Sequence, residues 1–450
     1  EFALSASGGT AALSGITGLN LAGPIDIDFN RLGKVLDLDI KAPDGTLIPV
    51  EFPSVDDVTQ FGGNLTLGVT GFAEISGSFG IEKQTVGGVT KVLVGGTDIS
   101  AFVGESGKGV QVSNGTLGVA IYKDASGVDF AVKATGAVAL VGITGFDLSG
   151  TASVEVNNTG AAVSETIATP NGSVSLSFSD DVARRRVAGT VTLSAAGFAT
   201  GSGAFAIEKT PGELTIAASN VSAFVGSGSI GVQLSNGKLG AVIATSGGNA
   251  GKYALEASGA VALVGVPLLT LSGTMDLELQ RMGTAVSRTI ATPAGDVTLN
   301  FGASDVTRLS GNAHFAVEGF VDISGDFALE KTTLESGVTR LTAAAENLTA
   351  FLGVNFNAAG EFGVKVAGAS LGMVVEIPTV GAPEFALSAF GGIASLSGIP
   401  DIDISGPINV GFNRLGKLLD LDIPAPDGSL IPLEFTVPDD ITRFGGNLTL

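Results

Sequence analysis

The first 67 residues of the chain return as its last 67. Glu1-Phe2-Ala3-Leu4-Ser5-Ala6 comes back as Glu384 to Ala389, Phe29-Asn30-Arg31-Leu32-Gly33-Lys34 as Phe412 to Lys417, and Phe61 to Leu67 unchanged as Phe444 to Leu450, always at an offset of 383. Roughly two-thirds of the paired positions are identical, and a period of this kind constrains the architecture more than any single residue, because stacked copies must bury a shared apolar surface. The pattern is that of a window on a longer tandem array, opening inside one unit and closing inside the next.

A weaker period lies within the first. Gly77-Ser78-Phe79-Gly80-Ile81-Glu82-Lys83 is echoed by Gly203 to Lys209 and again by Gly325 to Lys331. Ser100 to Gly104 is matched by Ser222 to Gly226 and Thr349 to Gly353, and Thr166-Ile167-Ala168-Thr169-Pro170 by Thr289 to Pro293. These markers predict repeat modules at 61–186, 187–308 and 309–443, with 1–60 the C-terminal part of a preceding module and 444–450 the start of the next.

Alternation of period two dominates. Val174-Ser175-Leu176-Ser177-Phe178 and Val297-Thr298-Leu299-Asn300-Phe301 put apolar side chains on one face and polar ones on the other, as strands with one buried face do. Helical periodicity is absent over any stretch of ten or more residues, and the density of Gly and Pro disfavours helices. Compact turn signals separate the strands: Thr169-Pro170-Asn171-Gly172, Thr210-Pro211-Gly212-Glu213, Pro43-Asp44-Gly45 and Pro426-Asp427-Gly428. Ser113-Asn114-Gly115 and Ser235-Asn236-Gly237 carry the same Asn-Gly signal and are expected to turn as well. Short turns between matched strands favour antiparallel pairing, since parallel neighbours need crossovers. The expected fold is therefore all-β, an elongated tandem-repeat rod of antiparallel hairpin-built modules; a β-solenoid of parallel coils is the alternative.

The apolar fraction is 44%, enough for a packed core, but with 67 Gly and no Trp the side chains are small. A thin core approached closely by backbone suits sheets. Forty-four acids against 23 bases leave a net charge of −21, which argues against nucleic acid, whose phosphates call for clustered Lys and Arg. The run Arg184-Arg185-Arg186 reads as a solvated loop at a module junction. With no Cys, disulfides and thiolate metal sites are excluded. No run is long enough for a membrane-spanning helix, and two Tyr with no Trp do not supply the aromatic girdles of a membrane barrel, so the chain is expected not to be membrane-embedded.

Chemistry-bearing residues are sparse. His314 is the one histidine and reads as an ordinary strand residue; without a second His or a Cys the usual nucleophile and zinc constellations are missing, and no enzymatic activity is expected. Gly-rich stretches such as Gly201-Ser202-Gly203 lack the Lys-Ser/Thr of a phosphate loop. No catalytic or cofactor-binding residue stands out. Calcium is the one cofactor the acids suggest, since hard cations take carboxylate and carbonyl oxygens. Asp56 and Asp57, Asp180 and Asp181, and Asp439 and Asp440 each precede a module start, where a cation would stiffen the joint. A solvated acidic turn is the competing reading, and the calcium-binding nonapeptide Gly-Gly-x-Gly-x-Asp is absent.

Long Gly/Ala/Val/Thr-rich β repeats, acidity, absence of Cys and elements such as Leu148-Ser149-Gly150-Thr151 through Asn157-Asn158-Thr159-Gly160-Ala161-Ala162-Val163 resemble the tandem-repeat regions of giant secreted or surface bacterial proteins, among them adhesins and RTX-like exoproteins. The resemblance implies an extracellular, cell-surface polypeptide: a stalk or fibre segment that supplies length and stiffness for adhesion or a surface appendage. Two other functions fit the same pattern, ligand- or glycan-binding repeat modules and the protomer of a multi-chain extracellular filament. The expected partners are neighbouring repeats of the same chain, with lateral or end-to-end self-association for the filament.

Overall fold

The computed structural model describes all residues except 13–18, 53–57, 70–72, 87–88, 106, 126, 196–198, 335, 381, 400–401 and 439. The described residues form strands and turns, with a single 3-10 turn at Gly247–Asn249 and no α-helix. They divide into two compact units, the first comprising Glu1–Ala196, Ser202–Thr215 and Thr292–Ala294, the second Gly197–Gly201, Ile216–Ala291 and Gly295–Leu450.

The first unit opens with β1 (Ala3–Ala12) and β2 (Leu19–Asn30), which pair antiparallel. The chain then leaves the sheet to make a small hairpin of β3 (Leu36–Lys41) and β4 (Leu47–Phe52), and returns as β5 (Val58–Val69) against β2, with Ile27 opposite Phe61. From there β6 (Ala73–Val86), β7 (Val89–Glu105), β8 (Lys108–Lys123), β9 (Val128–Val141) and β10 (Phe146–Asn157) each pair with the strand before. A second small hairpin, β11 (Val163–Thr169) and β12 (Gly172–Phe178), interrupts the series. The sheet then resumes with β13 (Arg184–Ala195) beside β10, Val154 facing Val187. β14 (Ala199–Thr210) and β15 (Glu213–Ser227) contribute residues to both units.

The second unit repeats the scheme. β16 (Ile230–Ala244), β17 (Tyr253–Val264) and β18 (Leu269–Gln280) pair in order. After the hairpin of β19 (Val286–Thr292) and β20 (Gly295–Phe301), β21 (Val306–Val317) returns to β18. Next come β22 (Val321–Thr333), β23 (Thr339–Val354), β24 (Phe362–Ile377), β25 (Glu384–Ser397) and β26 (Ile404–Asn413), again pairing in sequence. A last hairpin, β27 (Leu419–Pro424) and β28 (Leu430–Phe435), precedes β29 (Ile441–Gly446), which returns to β26. Every described ladder in both units is antiparallel, so the modules are built from hairpins and the parallel solenoid is excluded. Phe61, Val187, Leu309 and Phe444 each lie three residues after the start of a returning strand, β5, β13, β21 and β29.

Three of the small hairpins hold the described cores, whereas Leu38, Ile40, Leu47 and Ile48 of β3–β4 are exposed. In the first unit β11 lies against β6 and β7, and β12 against β7, β8 and β9. Their alternation is strict: Val163 and Ile167 of β11, and Leu176 and Phe178 of β12, turn inward and join Leu93, Ala120 and Ala131 of the sheet. In the second unit Val286, Ile290, Val297, Leu299 and Phe301 cover Ala217, Val242 and Ala254, while Leu419, Ile423, Ile431, Leu433 and Phe435 cover Ala344, Val374 and Ala386. Burying each such side chain contributes about 1.5–3 kcal/mol. The floor beneath is made of small residues because the hairpin runs close to the sheet backbone. A Cβ at Gly80 would stand 2.0 Å from the carbonyl oxygen of Ala168, and one at Gly240 would meet Leu299 Cδ1 at 2.6 Å.

Two sequence expectations change. Asn114 and Asn236 do not turn the chain: they sit inside β8 and β16 at register shifts, with φ of 51° and 52°. Asn tolerates the left-handed conformation that an extra residue in a strand requires, so the same dipeptide serves a β-bulge as readily as a hairpin turn. Asp98 and Asn347 take the same conformation at the bulges of β7 and β23. Arg184-Arg185-Arg186 is not a loop but the first three residues of β13, paired with Asn157, Val156 and Glu155 of β10. Arg184 pairs with Asp180, and Arg186 lies 3.3 Å from Glu155 and 3.7 Å from Glu208. Acidic residues on the neighbouring strands β10 and β14 hold Arg186 within the sheet.

Candidate functional site

The sheet of each unit has two unlike faces, and strand periodicity separates them. In the first unit, Gly80, Gly95, Gly118, Ala120 and Ala131 belong to the face under the β11–β12 hairpin. Residues one step away, such as Phe79, Val94, Leu117 and Ala134, belong to the opposite face. That second face carries no hairpin. Its side chains from β5 to β9 line an apolar groove of about 470 Å³ that includes Leu65, Ile81, Val94, Ile99, Val112 and Leu117. A flat sheet face would enclose no such volume. The bulges at Asp98 and Asn114 bend β7 and β8 in mid-strand, so side chains from both halves of each strand converge over the bend. At its base, Ile99 packs where Gly77, Gly96 and Gly115 leave room, with a Cβ at Gly96 only 2.9 Å from Ile99 Cδ1.

Beyond the groove the same face stays apolar. Val154 and Val187, opposite each other on β10 and β13, are about 40% exposed. The second unit shows the same character in Ile323, Leu329, Leu352 and Val364, all more than 40% exposed. Its bend is filled as in the first unit, with Leu348 over Gly325, where a Cβ would stand 2.6 Å from Leu348 Cδ2. Exposed apolar surface of this continuity marks an interaction surface in a folded protein.

Charge is confined to the hairpin face and to the strand ends. On the hairpin face, Glu165 of β11 accepts hydrogen bonds from Lys91 at 2.9 Å and Tyr122 at 2.8 Å, clasping the hairpin to β7 and β8. Burial and then the Glu165 carboxylate push the Tyr122 phenol upward, so it stays protonated as the donor. In the second unit, Arg340 and Lys417 meet Glu376 at 2.8 Å and 2.5 Å. Burial alone would raise the Glu376 carboxyl, but Lys417 and Arg340 outweigh it and hold it below the usual range. Glu155, between Lys133 and Arg186, follows the same logic: burial raises it and the two cations lower it further. Glu256 is the reverse case, pushed up by burial and then by Glu278 and Asp276.

These shifts predict an acid limb. Glu376 and Glu155 have folded pKa values below their unfolded ones, so their stabilisation is complete above the unfolded value of about 4.3 and is lost as the pH falls through the folded values. Glu256 acts in the opposite direction, losing stability as the pH rises from its unfolded value. Thermal midpoints measured from pH 7 to pH 3 are expected to fall on the acid side, and Glu376→Gln to flatten that limb while lowering the midpoint at pH 7. Glu256→Gln is expected to raise the midpoint at pH 7.

At the strand ends the apolar face acquires a basic rim. Lys83, Lys123, Arg185 and Lys209 alternate onto this face in the first unit and are exposed. Lys209 and Arg185 also line a small cleft of about 200 Å³ with Asn158, Thr210 and Pro211. In a chain with a net charge of −21, cations gathered at one border of an apolar face are a local inversion of the overall field.

Each small hairpin is entered through a buried amide. Asn30, Asn157, Gln280 and Asn413 close the strand before the hairpin and are at most 1% exposed. Each donates to the carbonyl four residues on (Lys34, Ala161, Thr284 and Lys417) and accepts from the N–H two residues on (Leu32, Thr159, Met282 and Leu415), at 2.9–3.1 Å. This satisfies backbone groups that leaving the ladder would orphan.

The acidic residues expected to hold calcium are dispersed in their contacts. Asp180 accepts from the Val182 N–H at 3.2 Å and pairs with Arg184; Asp440 pairs with Arg414 at 3.0 Å; Asp181 is exposed. Asp56, Asp57 and Asp439 lie outside the described residues. Among the described residues no group of three or more His, Cys, Asp or Glu is arranged to hold a metal ion. His314 Nε2 lies 3.0 Å from an Asp322 oxygen on the neighbouring strand. No helix among the described residues is long and apolar enough to cross a membrane.

Sequence reasoning overlooked the groove, its rim and the buried amides. The amides had a signal in the Phe-Asn-Arg-Leu-Gly-Lys segments at both ends of the chain, and the rim had one in the recurring Glu-Lys of the inner repeat. No protein-family model and no curated protein matches this sequence.

Proposed function

We propose that this chain is a structural repeat segment, a stalk or fibre section, of a very large extracellular bacterial surface protein that supplies length and stiffness for adhesion or a surface appendage. The observation that carries this reading is that one block of sheet strands and a small hairpin recurs along the chain, and three of these hairpins, β11–β12, β19–β20 and β27–β28, each seal a core of their own. Such a block can be added without redesigning its neighbours, and stability then accumulates from block cores and nearest-neighbour ladders. A catalytic role would need no such repetition. Acidity on the hairpin face and at the turns opposes lateral clumping at low salt.

The test is to image polypeptides carrying one, two and three 383-residue units. The expected result is a constant increment in particle length per unit at constant width. Particles that grow equally in all directions would refute the reading.

A further inference from the structure

The β3–β4 and β27–β28 hairpins have nearly the same sequence and fold in the same way, yet one buries its apolar face and the other does not. Their registers correspond pair for pair, Leu36 opposite Phe52 and Leu419 opposite Phe435. Their turns close alike, with the Ala42 N–H donating to the Thr46 carbonyl and the Ala425 N–H to the Ser429 carbonyl. But Ile40 and Ile48 are 55% and 44% exposed, while their counterparts Ile423 and Ile431 are 2% and 4% exposed. We propose that β3–β4, together with the outer edge of β1, docks the strand pair of a further repeat ahead of Glu1, built like β23 and β24. The proposal rests on the tandem-repeat reading above and adds the joint by which one repeat holds the next.

The second unit shows what fills such a site. There β27 lies against β23, and β28 against β24 and β25. Ala344 of β23 and Val374 of β24 close the core under the hairpin. Gly372 lets the hairpin come so near that a Cβ there would stand 3.2 Å from Ile431 Cγ2 and 3.5 Å from Ile423 Cδ1. In the first unit β1 lies against β4 as β25 lies against β28, but among the described residues no strand packs on this hairpin in the places of β23 and β24. The main chain shows the same gap. β25 gives one edge to β26 and the other to β24, with Ala386 opposite Val374. β1 gives the matching first edge to β2, and its other edge carries no ladder among the described residues.

Charge complements the shape. Glu376 of β24 accepts from Lys417 at 2.5 Å, and Glu346 of β23 accepts from the Asp427 N–H and the Ser429 hydroxyl at the hairpin turn, at 3.3 Å and 3.4 Å. Lys34, Asp44 and Thr46 hold those positions in the first unit and are exposed. The occupant must therefore bring a floor of small apolar residues, two carboxylates and a strand edge for β1, which strand addition supplies and a lipid or sugar does not. In this chain β24 reaches β25 through the short connection 378–383, and Glu384 answers to Glu1, so an upstream repeat of the same polypeptide delivers its strand pair directly to β1. A separate copy of the chain is the rival occupant, but its β23 and β24 already carry their own hairpin and β25.

Thiol reactivity in two chains tests the assignment: the 450-residue chain, and the same chain preceded by residues 1–383, so that a β23–β24 pair lies ahead of the probed hairpin. Ile40→Cys on β3, Ile48→Cys on β4 and Leu47→Cys are made separately in the trailing repeat and reacted with maleimide. Leu47 is the control, because its counterpart Leu430 stays exposed in the covered hairpin. All three thiols should react readily in the 450-residue chain. In the longer chain those at 40 and 48 should slow by about tenfold or more while that at 47 does not, since a buried site reacts only through local opening. The two strands report independently, so the test survives if one substitution weakens docking. Unchanged rates at 40 and 48, or equal slowing at all three, would overturn the proposal. So would slowing that rises with the concentration of the 450-residue chain alone, which would make a separate copy the occupant. If 40 and 48 stay reactive while particle length still grows by a constant increment per unit, the joint is wrong and the stalk reading stands. If they are protected while particles grow equally in all directions, the joint stands and the stalk reading falls.

Discussion

Truncating Leu433 to Ala is expected to cost about 2–5 kcal/mol, the range for removing a fully buried leucine when its surroundings relax only in part. Leu433 is 0% exposed, in β28, and shares its cluster with Val374 and Ala386 of the sheet and Leu419, Ile423 and Phe435 of the hairpin. The void is hard to refill, because around Val374 the sheet beneath is floored by Ala344, Gly372 and Ala386, which have no side chain long enough to rise into it. The loss should be local. Leu433→Ala is expected to expose the β27–β28 hairpin to protease while the β11–β12 hairpin keeps its wild-type protection. Leu418→Ala, at a position 62% exposed, is the control and should change stability by less than about 0.5 kcal/mol. Limited proteolysis with urea titration reads both quantities.

A second large effect is expected from Gly80→Val. The new Cβ would stand 2.0 Å from the Ala168 carbonyl oxygen, a backbone atom, so no rotamer change relieves the contact. The β11–β12 hairpin must lift from the sheet, taking Ile167 and Leu176 out of the core and parting Glu165 from Lys91 and Tyr122. Overpacking of this kind costs about 1–3 kcal/mol where the core can adjust, and more where it cannot. Gly172→Ala offers a contrast. Its φ of 127° strains any side chain, but nothing lies within 4 Å, so its cost is conformational only. Urea denaturation should rank Gly80→Val as much the more damaging. Equal midpoints for the two variants would mean that the hairpin does not lie on Gly80.

The contrast between these glycines shows where the sequence was readable. Period-two alternation in Val174-Ser175-Leu176-Ser177-Phe178 and the Pro-Asn-Gly turn before it marked the β11–β12 hairpin, because both signals are local. The antiparallel pairing followed from the same short turns. What alternation could not say is where that hairpin would lie. Its contacts join Glu165 to Lys91 and Thr169 to Thr97, residues over seventy positions apart, and nothing near Gly80 or Gly95 announces a strand crossing above. Asn114 was misread for a related reason: Asn-Gly reports a left-handed residue, and both a turn and a bulge supply one. The Arg184–Arg186 run was misread because its partners, Glu155 and Glu208, come from neighbouring strands.

The apolar face was hidden in plain alternation. Every strand that contributes a small residue to the hairpin side contributes a large aliphatic to the other, as Gly80 and Ile81 do, or Ala328 and Leu329. A sequence shows that such strands have two faces, but not which face a hairpin covers. Sealing each core with a Gly/Ala floor releases the larger side chains to the opposite face, so a thin core and an exposed apolar surface are two consequences of one choice of residues.

The chain contains no cysteine, so single thiols report on the two faces without background. Maleimide labelling of the protein carrying Ile81→Cys, Ile323→Cys, Ala120→Cys or Ala254→Cys, one at a time under native conditions, compares them. Thiols at 81 and 323 should react at rates near that of an unfolded peptide, and thiols at 120 and 254 only after urea opens the hairpins. Protection at 81 and 323 with rapid labelling at 120 and 254 would place the hairpins on the wrong side of the sheet and contradict the fold described above.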